Sequence, residues 1–372
     1  MPQQPAITLL VTGATGFLGS AIAADLLEHR PDLRLLFLVR AANAEAGLQR
    51  LRTSLAKMTS DLGLHERLTA EMVLCGDLAS FSALLPDSRV RSVTHVLNAA
   101  ALASFAFKKE VWTVNVEQTE EFVRAIARLP ALQRFLYVGT AMISGDTARR
   151  TVFEDEFPAD VRHFVPYTKS KAEIEKRLPR LLEENSLVIA RPSIVVGHTR
   201  LGCRPSPSIF WIFRMIHQAG RIPFSPLHRI DVVPVDYCAR ALNLLMLKPK
   251  LASARYHVSA GAPRSRSFAE IESVYRSCKQ QGLAEPLHEF GIADLPALEP
   301  HFAEWFGPGD TRLLKSAIHI YRAFAGLDVN FDNRRLIAEG MPPPPAFTDY
   351  LETCVQTGES EPIAAQMRYD FR

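Results

Sequence analysis

The sequence is short of cysteine, of net charge and of long apolar runs. Its five cysteines, at 75, 203, 238, 278 and 354, are odd in number and include no CxxC pair. That spacing argues against a disulfide framework and a metal site, and reduced thiols in a reducing compartment are expected. Lys and Arg total 43 against 40 Asp and Glu, a net charge of +3. A balance that near zero leaves no whole-molecule footprint for nucleic acid. The first 24 residues carry no charged side chain, yet Gly13, Gly16 and Gly19 with Thr12 and Thr15 interrupt them, so a membrane span is not expected there. The opening MPQQP lacks the basic start of a signal peptide, and a cytoplasmic protein is expected. What is present, over 372 residues, is 47% apolar and 22% charged, an ordinary globule longer than one average domain.

Short apolar runs alternate with amphipathic ones. Ala6 to Val11 is apolar and β-rich, the TGATGFLG turn follows, and Phe17 to His29 has helical spacing. Further strands are expected at Leu33 to Arg40, Glu71 to Leu78, Val93 to Ala100, Arg134 to Thr140 and from Ser186. Helices are expected over Val111 to Leu129 and Tyr167 to Leu182. Near-continuous apolar strands alternating with helices specify an α/β fold, a doubly wound parallel sheet covered on both faces. The character changes at Gly197. Thereafter, to Ile230, there are five arginines (200, 204, 214, 221, 229), four prolines and no acid, around Ile209-Phe210-Trp211-Ile212-Phe213. Asp231 to Leu247 reads as a return to the sheet and then a helix. Beyond Pro263 the sequence is mostly helical with polar breaks, and Met341 to Pro345 is a stiff spacer.

Thr12-Gly13-Ala14-Thr15-Gly16-Phe17-Leu18-Gly19 lies between the first strand and the first helix. Gly13 permits the tight turn, Gly16 lets the backbone approach a pyrophosphate, and Gly19 lets helix pack on strand. The helix N-terminus presents free amides and a positive dipole to phosphate. In isolation a ligand-free glycine turn would look similar; the strand–turn–helix context favours a Rossmann-type dinucleotide site. Arg40 ends the second strand, and no acid follows until Glu45. A cation there suits a 2′-phosphate, which points to NADPH, although an arginine can also merely cap a strand. Asp77 and Leu78 follow the third strand, at the adenine edge. Asn98, Ala99 and Ala100 end the fourth, where small residues leave room for the cofactor. Residues 1–200 are thus expected to form the dinucleotide-binding domain, with sheet and helix returning at 231–262. Residues 201–230 and 263–372 are expected to form a smaller, mostly helical substrate-binding lobe.

Tyr167 and Lys171 stand four apart, on one face of a helix. An ammonium beside a phenol favours the phenolate, so the Tyr167 value is expected to fall. Thr140 ends the preceding strand and could bond the carbonyl oxygen that Tyr167 protonates. Asn115 could hold a relaying water or make a plain structural hydrogen bond.

The glycine turn, Asp77, Asn98-Ala99-Ala100, Thr140 and Tyr167-x-x-x-Lys171 together resemble an extended short-chain dehydrogenase/reductase over roughly residues 6 to 260. LVRA after the second strand, GLQRL, ARPSIVVG at 190–197 and DVVPVDYCARAL at 231–242 resemble the fatty acyl-CoA reductases and terminal thioester reductase domains. That resemblance implies NADPH-dependent reduction of acyl thioesters, on CoA or an acyl carrier protein, to aldehyde and possibly alcohol. It implies Thr140, Tyr167 and Lys171 as the catalytic set, Arg40 at the 2′-phosphate, and Pro192, Ser193 and Ile194 near the nicotinamide. The strand before the hydroxyl reads Val138-Gly139-Thr140 where the family usually has VST. The basic, apolar stretch at 197–230 suits CoA phosphates or an acidic carrier with an acyl chain, or is a solvated loop with one buried helix. Thr311 to Phe324 is amphipathic, a packed helix or a membrane-surface one. A ketone, hydroxysteroid or nucleotide-sugar enzyme and a non-catalytic NADPH-binding regulator stay open as rivals.

Overall fold

A computed structural model describes residues 7–148, 150–157, 160–183, 186–280 and 286–371. The opening MPQQP and Ala6 of the expected first strand lie outside the described residues. Seven strands form one parallel sheet: β1 (Thr8–Thr12), β2 (Arg34–Val39), β3 (Val73–Cys75), β4 (His95–Asn98), β5 (Arg134–Val138), β6 (Leu187–Pro192) and β7 (Arg255–Val258). Their spatial order is β7-β6-β5-β4-β1-β2-β3. Every neighbouring pair is parallel, as Leu10 against Leu36 on one side and against Val96 on the other illustrate. The sheet is Rossmann-type and doubly wound.

Side-chain alternation divides the strands between two cores, as a period of two requires. Leu9, Val11, Leu35, Phe37, Leu97, Leu136 and Val138 face one side, with α1 (Phe17–His29), α2 (Ala44–Leu55) and α6 (Val235–Leu247). Leu10, Leu36, Val96, Phe135 and Tyr137 face the other, with α3 (Thr119–Ile126) and α4 (Pro166–Arg177). The chain winds outward in both directions from the β1–β4 boundary. The crevice beyond the carboxyl ends of these strands is where such sheets hold ligands.

Two expectations need correction. The stretch from Asp231 does not rejoin the large sheet: Val232–Val233 pairs only with Ile194–Val195 in a small ribbon. The strand that rejoins is β7, against β6. The helix expected over Val111 to Leu129 is not uniform either. It runs as Lys109–Trp112, a π-helical segment Thr113–Gln118 and then α3.

A separate apolar core joins α5 (Trp211–Ala219), α7 (Phe268–Cys278), α8 (Thr311–Ala325) and α9 (Phe347–Thr357). Trp211, Phe213, Phe268, Leu314, Ile318 and Leu351 are among its buried members. The apolar face of α8 is therefore covered by protein. Among the described residues no helix is long and apolar enough to cross a membrane. One buried carboxylate ties these parts together. Asp231 accepts from the backbone N–H groups of Ala260 (2.7 Å), Gly261 (3.1 Å) and Phe331 (3.2 Å).

Candidate active site

The glycine turn is held by close backbone contact. Gly13 has φ +75°, and a Cβ there would lie 2.7 Å from the Ala100 nitrogen. At Gly19 a Cβ would stand 2.0 Å from the Gly13 oxygen, so α1 can meet the turn only without a side chain. Gly16 is freer, with only the Gly13 oxygen, 3.3 Å away, near its missing Cβ. The first turn of α1 carries no acid, so nothing opposes an anion at the helix N-terminus. The Thr12 hydroxyl donates to Asn98 Oδ1 (2.6 Å) and accepts from the Ala100 N–H (3.1 Å). Thr12 and Asn98 thus brace the turn against β4.

A cavity of about 390 Å³ begins at this turn. Gly13, Gly16, Phe17, Leu18, Gly19 and Ala99 line its near end. Thr140, Tyr167, Lys171, Pro192, Ser193 and Ile194 line its middle. Ile209, Ile212, Phe268, Tyr321, Phe324 and Phe331 line its far end. The arrangement fits a dinucleotide at the turn: a side-chain-free backbone approach and a helix N-terminus that carries no acid. Thr12, Thr15, Arg40, Asp77, Leu78, Asn98 and Ala100 do not line this cavity. Thr15 lines a second, polar cavity with Ser54, Lys57, Arg204 and Ser360.

Arg40 is exposed at the end of β2, and its carbonyl accepts a hydrogen bond from Arg50, which brings a second guanidinium to the same place. Arg52 is spent elsewhere, on the Leu68 carbonyl (3.0 Å). Ser80 donates to Asp77 through its N–H and its hydroxyl, both at 2.8 Å, and holds that carboxyl below its ordinary range.

Pro166 opens α4, as a residue without an N–H can, and Tyr167 and Lys171 follow on one face. Lys171 Nζ donates to the Val138 carbonyl (2.8 Å) and lies 4.7 Å from the centre of the Tyr137 ring. Burial pushes the Tyr167 phenol up to about 12. Burial also lowers Lys171 to about 7, against the opposing pull of Glu175. The expected lowering of the phenol is therefore reversed. The ammonium is directed to a carbonyl and a ring face, and the phenolate would lose its hydration in an apolar cavity. Thr140 is buried, and its oxygen accepts from the Met142 N–H (3.3 Å), which leaves the hydroxyl proton free for another acceptor.

Asn115 sits within the π-helical segment. Its Oδ1 accepts from the Leu102 N–H (2.8 Å), and its Nδ2 donates to the Leu102 carbonyl (3.1 Å) and Ser170 Oγ (3.0 Å). Its role here is to fasten the segment after β4 to α4. Of the five arginines at 200–229, Arg229 lines the cavity, whereas Arg214 donates to the Glu361 carbonyl (2.7 Å).

Sequence reasoning missed the support beneath Lys171. Arg191 and Glu175 form an ion pair with both side chains 1% exposed. Arg191 Nε lies 3.1 Å from Glu175 Oε1, and Nη1 donates to the carbonyls of Glu154 (3.0 Å) and Glu156 (3.3 Å). The signal was available: an arginine inside an apolar strand, and an acid one turn beyond Lys171. Tyr137, fully buried below Lys171, was also missed.

Known proteins with the same features narrow the assignment. Residues 11–242 match an NAD-binding family described as male sterility protein. The chain is 28% identical over 335 residues to aldehyde reductase lnaA of Aspergillus flavus, covering 82% of this chain and 32% of that protein. It is 29% identical over 338 residues to the non-canonical nonribosomal peptide synthetase FrzA of a Cladobotryum species, covering 82% of this chain and 32% of that one. The chain thus spans about a third of the length of each of these two curated relatives. Among solved structures, the terminal R domain from the myxalamid PKS-NRPS pathway superposes with a TM-score of 0.76 at 20% identity, covering 95% of this chain and 91% of that one. A glycine turn, a Tyr–Lys pair and a parallel sheet in this order, with a family match over residues 11–242, place the chain in the male sterility protein family of NAD-binding domains.

Proposed function

We propose that the chain is an NADPH-dependent reductase of acyl thioesters, borne by CoA or a carrier protein, that yields an aldehyde and a free thiol. One observation carries this reading. A single cavity runs from the glycine turn, past Thr140, Tyr167 and Lys171, into an apolar compartment built by the second core. When bound, NADPH supplies a hydride. Arg40, exposed at the end of β2 with Arg50 bonded to its carbonyl, would neutralise the 2′-phosphate. The Thr140 hydroxyl donates to the thioester oxygen and polarises the carbonyl. Tyr167, neutral because its phenol titrates near 12, hands its proton to that oxygen as charge develops there. A phenol that stays protonated is the form that reduction requires. Lys171 adds positive charge beside Tyr167 and anchors the nicotinamide ribose. The resulting hemithioacetal expels thiolate, which takes up the proton lost in re-forming the carbonyl; one hydride and one proton are consumed overall. Alignment and a preformed oxyanion donor account for most of the rate gain.

The assay is purified protein with NADPH and, separately, acyl-CoAs, acyl-pantetheines, free ketones and UDP-sugars. NADPH oxidation matched by thiol release with thioesters is expected. Oxidation by ketones or sugars alone would defeat the proposal.

A further inference from the structure

The far end of the cavity is a box of aromatic rings. The Phe105 ring stands 6.4 Å from Tyr167, 5.6 Å from Tyr321 and 5.9 Å from Phe324, centre to centre. Trp211 meets Tyr321 edge-on at 5.0 Å. Two carboxylates line this cavity: that of Asp231, whose oxygens accept from the backbone N–H groups of Ala260, Gly261 and Phe331, and that of Asp370. The Trp211 Nε1–H (2.7 Å) and the Tyr321 hydroxyl (2.6 Å) both donate to its Oδ2. Among the described residues, Oδ1 accepts no hydrogen bond and no cation pairs with the group. The Asp370 carbonyl accepts from the Phe105 N–H (2.7 Å), which fixes the carboxylate relative to that ring.

A charge among apolar rings is costly without a counter-charge. Burial raises this carboxyl to about 6, which still leaves it ionised at neutral pH. Ring faces add further attraction for a cation. Holding Trp211 and Tyr321 in place occupies one oxygen and leaves the second available to a ligand. Because Phe105 lies between Tyr167 and Tyr321, a group meeting Asp370 is displaced from the reacting carbonyl by the width of a ring.

Resting on the thioester-reductase reading, we propose that Asp370 makes this compartment a receptor for a protonated amine carried on the acyl chain, several bonds from the thioester carbonyl. Asp370 is in this view a specificity residue, and the preferred substrate is an amino-acyl thioester.

The test is equilibrium binding by calorimetry, without NADPH, of three pantetheine thioesters: hexanoyl, ω-hydroxyhexanoyl and ω-aminohexanoyl. The amino compound is expected to bind about tenfold tighter than the other two, the scale of one charge-assisted hydrogen bond. Asp370→Asn keeps an acceptor for Trp211 and Tyr321. It should abolish the preference while hexanoyl binding stays within about twofold of wild type. Equal binding of the three by the wild type, hydroxyl binding as tight as amine binding, or a preference that survives in Asp370→Asn would overturn the proposal. Turnover with NADPH is scored apart: if no thioester is reduced, the reductase reading fails whatever the binding shows.

Discussion

Neutralising Glu175 should damage both the stability and the pH behaviour of the protein, by separable amounts. Its carboxylate and the Arg191 guanidinium are almost wholly buried. In Glu175→Gln the guanidinium keeps an amide oxygen and the carbonyls of Glu154 and Glu156 but loses its counter-charge. Removing one member of a buried pair costs about 3–5 kcal/mol; the retained hydrogen bond puts this variant near the lower end, about 3 kcal/mol. Guanidinium unfolding monitored by circular dichroism should show the midpoint fall with its slope unchanged. Replacing both partners, Glu175→Leu with Arg191→Met, should recover most of that loss. Glu175 also favours the charged form of Lys171. Lys171 titrates near 7, against an ordinary value of 10.5. Its charging therefore opposes folding in full below about 7, and that cost vanishes above 10.5. Without Glu175 the folded value drops further, so the variant should lose more stability at pH 5 than at pH 9. If turnover needs the ammonium, the alkaline limb of the rate profile should begin near 7 in the wild type and shift to lower pH in the variant. A midpoint within experimental error of wild type, together with an unmoved alkaline limb, would refute the reasoning.

Other consequences are more local. Tyr167→Phe should cut turnover by about two to four orders of magnitude, the range for one proton donor, while NADPH affinity measured by fluorescence changes little. Unchanged turnover would remove Tyr167 from the mechanism. Arg40→Asp should weaken NADPH far more than NADH in direct titrations, and equal losses would disprove a 2′-phosphate contact. Gly19→Ala would drive a methyl group into the Gly13 carbonyl, at 2.0 Å from its oxygen. Backbone cannot yield cheaply there, so both nucleotide affinity and thermal midpoint should fall, whereas Gly220→Ala, with open space around its Cβ position and a φ of +60°, should lose stability but not nucleotide affinity.

Much of the sheet was legible because its signal is local. The apolar runs at Leu9 to Val11 and Leu35 to Val39 sit in one strand each, and the glycine turn lies directly between β1 and α1. What stayed hidden depends on distance in sequence. Asn115 is held by Leu102 and by Ser170, 55 positions away, and the π-helical segment around it has no signature in residue spacing. Asp370 meets Trp211 across 159 positions. The Tyr167–Lys171 pair was visible, but the direction of the phenol's shift was not. Spacing reveals a neighbouring charge; it does not reveal how much water the fold removes from both groups. For β7, Arg255–Val258, the run is four residues long and begins with arginine, too brief for a periodicity argument.

The second core has a consequence for recombination. Its side chains come from stretches on either side of β7, with Trp211 and Phe213 ahead of that strand and Phe268, Ile318 and Leu351 after it. The wall of the apolar compartment is therefore threaded through the nucleotide-binding sheet rather than appended to it. A chimera that swaps everything after β7 would exchange α7, α8 and α9 but keep the native α5, and would join two half-walls shaped for different contents. Transplanting this compartment between members of the family requires moving the α5 region and the distal helices as one unit.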